Sequence, residues 1–245
     1  MRIPQPRPNF SSSLAIPNGA LSWVVSGSPV SYPLAMDLMD RAVEAVVERG
    51  APGKIWLLEH PPVYTAGRSA RPEELLEPRF PVYETGRGGR YTYHGPGQRV
   101  VYVITDLKAL YGTMDIRRYI NDLEHWIVRA LTRFGILGER REGRIGIWVS
   151  GPDGKEAKIA SIGVRVRRGV AYHGFAINID PDLSHFSGIV PCGLAEHGVT
   201  SLSACLGRQV NLADMDRALR FSVPDMFHLI PVSYTHLTLP TNREV

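Results

Sequence analysis

Apolar residues at Leu34, Ala35, Leu38, Ala42, Ala45 and Val46 recur at helical spacing, while Asp37, Arg41, Glu44 and Glu48 take the opposite face. The pattern predicts an amphipathic helix opened by Ser31 and closed by Gly50. A strand-like IWLLEH then runs into Pro61 and Pro62. From Pro81 to Thr105, short β-type segments are separated by the turn-type sequences GRGG and HGPG, and antiparallel pairing is expected there. The clearest helix begins near Asp115 and stacks Ile116, Tyr119, Ile120, Leu123, Ile127, Ala130, Leu131 and Phe134 on one face before Gly135, a stripe suited to covering a sheet. IGIWV, the turn GPDG, KIASIGVRV, the basic turn Arg167-Arg168-Gly169 and VAYHGFAINI predict a second antiparallel group, and helical signal returns near Thr200.

Runs of strands broken by few helices predict an α+β fold of mixed, largely antiparallel sheets packed with helices, rather than strict βαβ alternation. Neither a repeat nor an internal linker is visible, so residues 23–230 are read as a single domain. Residues 1–22 carry Pro4, Pro6, Pro8 and Ser11 to Ser13 without periodicity, and are read as a loose arm.

Composition narrows the class. With 44% hydrophobic and 21% charged residues, 245 residues can build one substantial core, which excludes disordered and collagen-like chains. No stretch approaches the ~18 apolar residues of a membrane span, and no apolar segment follows the N-terminal arginines, so a soluble, cytoplasmic chain without membrane association is expected. Two cysteines cannot form a disulfide framework, and each needs its own explanation. A formal net charge of +4 would suit an acidic partner or a nucleic acid equally.

The cysteines differ in surroundings. Cys205 in TSLSACLG has Leu202 and Leu206 at helical spacing, which predicts a buried, inert thiol. Cys192 in IVPCGLAEHG follows Pro191 and precedes Gly193, which suits an exposed nucleophile, or a loop cysteine that falls between turn-formers. A nucleophilic thiol needs a neighbouring base or cation, for which His94, His173, His197 and Lys158 are candidates. Lys158 opens KIASIG, an apolar, small-residue strand where an ammonium is partly desolvated unless it snorkels to solvent. Such a lysine can partner a thiolate and later accept a proton from an incoming amine. The run RGGRYTYHGPGQ sets Tyr93 and His94 among glycines, as either a ligand wall or a bare hairpin. It lacks the phosphate-loop pattern, and the scattered histidines lack metal-ligand spacing, so no metal is expected.

RGGRYTYHGPGQ, KIASIG, YHGFAIN and GIVPCG, in this order, resemble the lipoyl(octanoyl)transferases, the lipoate-protein ligase B family; the likeness runs from about Tyr32 to Gly207. The resemblance implies a fold similar to the catalytic domain of biotin and lipoate ligases. It implies transfer of an octanoyl or lipoyl group from octanoyl-acyl carrier protein to a lysine of lipoyl domains, those of 2-oxoacid dehydrogenase complexes and of the glycine cleavage H protein. The acyl group would pass through a thioester on cysteine, with no cofactor. Carried onto this sequence, the catalytic pair is Cys192 and Lys158, and substrate contacts fall on Arg87, Gly88, Gly89, Arg90, Tyr91, Thr92, Tyr93 and His94, on Ser161, Ile162 and Gly163, and on Gly174, Phe175 and Ala176. Between Glu139 and Gly169 eight Lys and Arg face four acids, a basic surface that could steer an acidic carrier protein, or a solvated charged hairpin.

Two features depart from the family pattern. PPVYTAGRSA lacks the leucine-glycine pair that usually follows the threonine, and SYTHLTLPTNREV resembles translated sequencing-adaptor read-through, so residues 231–245 are read as a non-native tail. The rival readings are an ATP-dependent lipoate or biotin ligase of the same fold, which needs no nucleophilic thiol, a cysteine hydrolase, and a nucleic-acid binder. The last lacks any reader motif, and no nucleic-acid partner is expected.

Overall fold

The computed structural model describes residues 20–190, 198–225, 227, 229 and 236–237. In chain order its elements are β1 (Leu21–Ser26), α1 (Tyr32–Arg49), β2 (Gly53–Leu58), β3 (Val63–Ala66), β4 (Val82–Glu84), β5 (Tyr91–His94), β6 (Gln98–Asp106), α2 (Leu107–Tyr111), α3 (Ile116–Thr132), β7 (Glu139–Arg141), β8 (Arg144–Ser150), β9 (Glu156–Arg167), β10 (Val170–Asn178), β11 (Gly198–Val199), α4 (Leu202–Leu206), α5 (Leu212–Phe221) and β12 (His236–Leu237). The main sheet runs β12-β1-β2-β6-β10-β9-β8-β7, with β11 added beside β9, and a small sheet runs β4-β3-β5.

Side-chain alternation on the central strand divides the core. Val101 and Val103 of β6 face a cluster built with Leu123, Trp126 and Ile127 of α3 and Met215 and Leu219 of α5. Val100, Tyr102 and Ile104 face the other way, onto Ala35, Met39 and Val43 of α1. The small sheet closes a third cluster of Tyr64, Tyr91, Tyr93 and Phe186. Helix ends follow from the sequence: Gly50 takes the left-handed conformation (φ 60°) that lets its N–H reach the last carbonyls of α1, and the Asp115 carboxylate accepts the Arg118 N–H at the start of α3.

The α+β expectation agrees with this architecture, and β8, β9 and β10 pair antiparallel as read from the sequence. Three local readings are corrected. The arm does not extend to residue 22, because Leu21 is fully buried and Ser22 donates to the Gly53 carbonyl at 3.1 Å, both within β1. That strand pairs parallel with β2 across the α1 crossover. Within the Pro81–Thr105 stretch the strands do not pair with one another: β5 is antiparallel to β3, β6 is antiparallel to β2 and β10, and β4 lies parallel to β3. Cys205 is half-buried rather than buried, its Sγ 3.6 Å from Thr200 Oγ1. Of the tail, the structure describes His236 and Leu237, paired with Val25 and Ser26.

Candidate active site

A cleft opens between the two sheets on the α1 side of the main sheet, lined by Tyr32, Arg87, Gly89, Arg90, Thr92, His94, Val100, Tyr102, Ser161, Ile162, Gly163, His173, Gly174, Phe175 and Ala176, with about 500 Å³ of empty space counting its open mouth. The structure thus brings the loop and strand at 87–94 together with the paired strands β9 and β10 at 161–163 and 174–176. Strand alternation sorts the members of the first. Thr92 and His94 of β5 face the cleft, whereas Tyr91 and Tyr93 face the third core cluster, so as cleft residues these two are corrected to packing residues. Gly88 is also absent from the lining, and its N–H instead bonds the Val164 carbonyl, tying the loop to β9. Ile162 and Phe175 turn their side chains into the α3 cluster, so what they lend the cleft is main chain.

The histidines of the cleft wall carry no charge. Burial holds His94 down to about 3, His173 to about 3 and His60 to about 4, so all three imidazoles are uncharged at neutral pH. Burial also pushes the Tyr32 phenol up to about 12, and Tyr32 Oη, among the described residues, has no hydrogen-bond partner. The charge in the wall is that of Arg87 and Arg90. Arg87 is spent on structure: its guanidinium donates to Gly88 O at 2.8 Å, to Thr65 O at 2.9 Å, to Thr65 Oγ1 at 2.8 Å and to Arg90 O at 3.0 Å, cross-bracing its own loop. Arg90 pairs with buried Glu74.

His173 has a left-handed backbone (φ 61°), uncommon for a residue with a Cβ. Neighbours on a strand normally point to opposite faces, yet here the Tyr172 and His173 rings stack at 5.2 Å and 20°. The following Gly174 packs so closely on the Val101 carbonyl that a Cβ would collide with it.

Lys158 lies on β9, three residues and therefore about 10 Å before Ser161. The register of β8 on β9 shifts by one between Ile147↔Ala160 and Trp148↔Lys158, leaving Ile159 as an extra residue on β9. Ile159 and Ala160 consequently both join the α3 cluster. A one-residue bulge reverses the facing of everything before it. Lys158 thereby comes to the face of Ser161 and Gly163, across from Trp148, instead of the α3 face that regular alternation from Ala160 would give it. Its ammonium is 5.4 Å from the Trp148 ring centroid and donates to the Ile145 carbonyl at 2.8 Å, and the residue is 6% exposed. It does not snorkel. Cys192 and His197 lie outside the described residues, but the chain resumes at Gly198–Val199 hydrogen-bonded alongside Ala157 and Lys158.

Sequence reasoning missed Tyr32, Val100 and Tyr102 as lining residues. Val100 and Tyr102 sit in an unbroken apolar run whose two faces cannot be told apart by composition, and Tyr32 reads as an ordinary first-turn helix residue. The basic surface is also reduced by the fold. Arg140 pairs with Glu124, Arg141 with Glu139 and Glu156, Arg144 with Glu156, Lys155 with Asp153, Arg167 with Asp40 and Arg168 with Glu48.

Comparison with known proteins identifies the family. Residues 31–222 match the family model of the lipoyl protein ligase A/B catalytic domain. Octanoyltransferases of Paramagnetospirillum magneticum and Rhodospirillum rubrum are 56% and 54% identical over 211 and 212 residues, each alignment spanning 86% of this chain and 98% and 97% of the relative. Among solved structures, a lipoate-protein ligase A bound with ATP superposes with a TM-score of 0.68 at 16% identity, covering 89% of this chain and 88% of the other. A putative lipoate protein ligase from T. acidophilum with bound lipoic acid gives 0.62 at 17% identity, covering 87% of each chain. These structures share the fold. Among the described residues no helix is long and apolar enough to cross a membrane. The chain belongs to the lipoyl protein ligase A/B catalytic-domain family and is an acyltransferase, an octanoyltransferase of protein lipoylation.

Proposed function

We propose that this octanoyltransferase takes its acyl group from octanoyl-acyl carrier protein and delivers it, through a thioester on Cys192, to a lysine of lipoyl domains in 2-oxoacid dehydrogenase complexes and of the glycine cleavage H protein, in the cytoplasm. The observation that carries this reading is the bulge at Ile159, which presents Lys158 on the cleft face of β9 beside the strand that follows the PCG motif.

In the first half-reaction the Cys192 thiolate attacks the carrier thioester carbonyl, a new C–S bond forms and the old one breaks. The departing carrier thiolate takes a proton from the Lys158 ammonium, leaving a neutral amine. In the second, an acceptor lysine that has released one proton to solvent attacks the octanoyl-cysteine. Its C–N bond forms, its second proton passes to Lys158, and Cys192 leaves as thiolate. Atoms and charges return to the starting state, and exchange of one thioester for another is nearly isoenergetic, so no ATP is needed. The largely apolar cleft, its histidines uncharged, favours an alkyl chain, with up to ~0.8 kcal/mol gained per buried CH₂. Arg87, Gly89, Arg90, Thr92, His94, Ser161, Ile162, Gly163, Gly174, Phe175 and Ala176 form its wall.

Intact-mass spectrometry after mixing with octanoyl-acyl carrier protein, without ATP, tests the reading. One octanoyl adduct located on Cys192 is expected. An adduct on Cys205, no adduct, or modification of the acceptor only when ATP is added would overturn it.

A further inference from the structure

We infer that Glu124 and Gly146 are positioning residues for Lys158, acting through the single peptide group that joins Ile145 to Gly146. That peptide is rigid and trans, so its N–H and C=O point in opposite directions. On one side the Gly146 N–H donates to Glu124 Oε1 of α3 at 3.3 Å; on the other the Ile145 carbonyl accepts from Lys158 Nζ at 2.8 Å. A carboxylate on the helix side of the sheet and an ammonium on the cleft side therefore grip the two ends of one planar unit. The carboxylate also polarises the peptide, strengthening its carbonyl as an acceptor for the ammonium.

Each partner is fixed independently. Glu124 is buried and its second oxygen accepts from Arg140 Nε at 2.9 Å, and Arg140 in turn donates to Asn121 Oδ1 at 2.8 Å. A buried carboxylate with those two partners has little freedom to turn. Gly146 adopts φ 123°, and a Cβ there would lie 2.5 Å from Lys158 Cε, 3.1 Å from Nζ and 2.5 Å from the Ala160 carbonyl. The absent side chain is the slot through which the lysine reaches its carbonyl. The Ile159 bulge selects the face on which Lys158 emerges; the 145–146 peptide fixes where along that face its ammonium comes to rest.

The inference rests on the catalytic reading of Lys158, and a double-mutant cycle separates the two. Gly146→Ala and Glu124→Ala are each made in the natural and the Lys158→Ala backgrounds. Octanoyl transfer is followed in single turnover, and iodoacetamide alkylation of Cys192 is followed against pH, which reads the cycle even where transfer is too slow to measure. Gly146→Ala should slow transfer by roughly tenfold or more, as misplacement of a reacting group does, with the donor KM little changed. In the Lys158→Ala background the same substitution should change rate and pH profile by less than about twofold. Glu124→Ala should show the same coupling with a smaller loss, and it decides the matter if Gly146→Ala does not fold. If both substitutions act in full without Lys158, the positioning inference fails and the catalytic reading stands. If Lys158→Ala alone changes neither transfer nor alkylation, the catalytic reading fails and takes the inference with it.

Discussion

His94 Nδ1 and Gln98 Oε1 lie 2.6 Å apart, and the partners beyond Gln98 dictate which atom carries the proton. Asn178 Nδ2 donates to the Thr200 carbonyl at 3.0 Å, so Asn178 Oδ1 accepts from Gln98 Nε2 at 2.8 Å, and Gln98 Oε1 is left to accept from His94. The chain ends where the Thr200 N–H donates to the Lys158 carbonyl at 3.0 Å. A cleft imidazole is thereby locked as the Nδ1–H tautomer, with Nε2 as its lone-pair nitrogen.

Nitrogen-15 NMR of the histidine rings should accordingly show His94 protonated at Nδ1 and neutral at pH 7. In Gln98→Leu the preference should be lost. Stability should fall by about 1–3 kcal/mol for each buried group left unpaired, read by urea unfolding. An Nε2–H tautomer in the natural protein would contradict the network.

The three buried imidazoles also set an acid limit. His60 donates through Nδ1 to the Val30 carbonyl at 2.7 Å and accepts the Tyr102 hydroxyl at Nε2 at 2.8 Å, so it has no use for a second proton. With folded values near 4, 3 and 3 against 6.5 in the unfolded chain, the unfolded state binds more protons between those limits. The stability these neutral rings contribute is complete above pH 6.5 and declines as the pH falls toward 4. The slope is up to about 1.4 kcal/mol per pH unit for each ring. Urea unfolding at pH 7.5, 6 and 5 should show a steady loss, and replacing His60 by Asn should flatten it. A stability independent of pH across that range would remove the argument.

Chain length should be read at Ala176. Its side chain faces the cleft beside Val100 and Tyr102, so Ala176→Leu fills space that an alkyl chain would occupy. The ratio of kcat/KM for octanoyl over hexanoyl donors should fall by roughly fourfold for each methylene displaced. An unchanged ratio, with activity intact, would place the acyl chain elsewhere.

Much of this was legible in the sequence because it is written in local patterns. The stripe of α3, the Gly50 stop of α1 and the β8–β9–β10 meander depend on residues close in the chain. Three of the four motifs supply residues to the cleft wall, while the fourth, GIVPCG, runs into residues outside those described. Facing was less legible: Tyr91 and Tyr93 stand in the same run as Thr92 and His94, and only the pairing of β5 with β3 decides which go inward. Lys158 is the sharper case, since KIASIG read as a regular strand puts Lys158 on the face of Ala160, and nothing in those letters announces the extra residue at Ile159. The parallel strands β1 and β4 escaped because parallel partners are distant in sequence and leave no turn signal.

Replacing Lys158 by Ala should separate its two roles. On the proposed mechanism the ammonium is the cationic partner of Cys192, so in Lys158→Ala the pH at which Cys192 reacts with iodoacetamide should rise. On the same mechanism the Lys158 amine receives the proton of the incoming lysine, so transfer from the acyl-enzyme should slow by ~10²-fold or more. Lys158→Arg retains a cation but cannot take up that proton at neutral pH. It should therefore keep more of the thiol reactivity than Lys158→Ala while transferring no faster to the acceptor. Equal alkylation profiles in all three proteins would show that the ammonium does not serve the thiol. Full transfer by Lys158→Arg would show that proton acceptance occurs at another group, for which His94 Nε2, held unprotonated by Gln98, is the next in line.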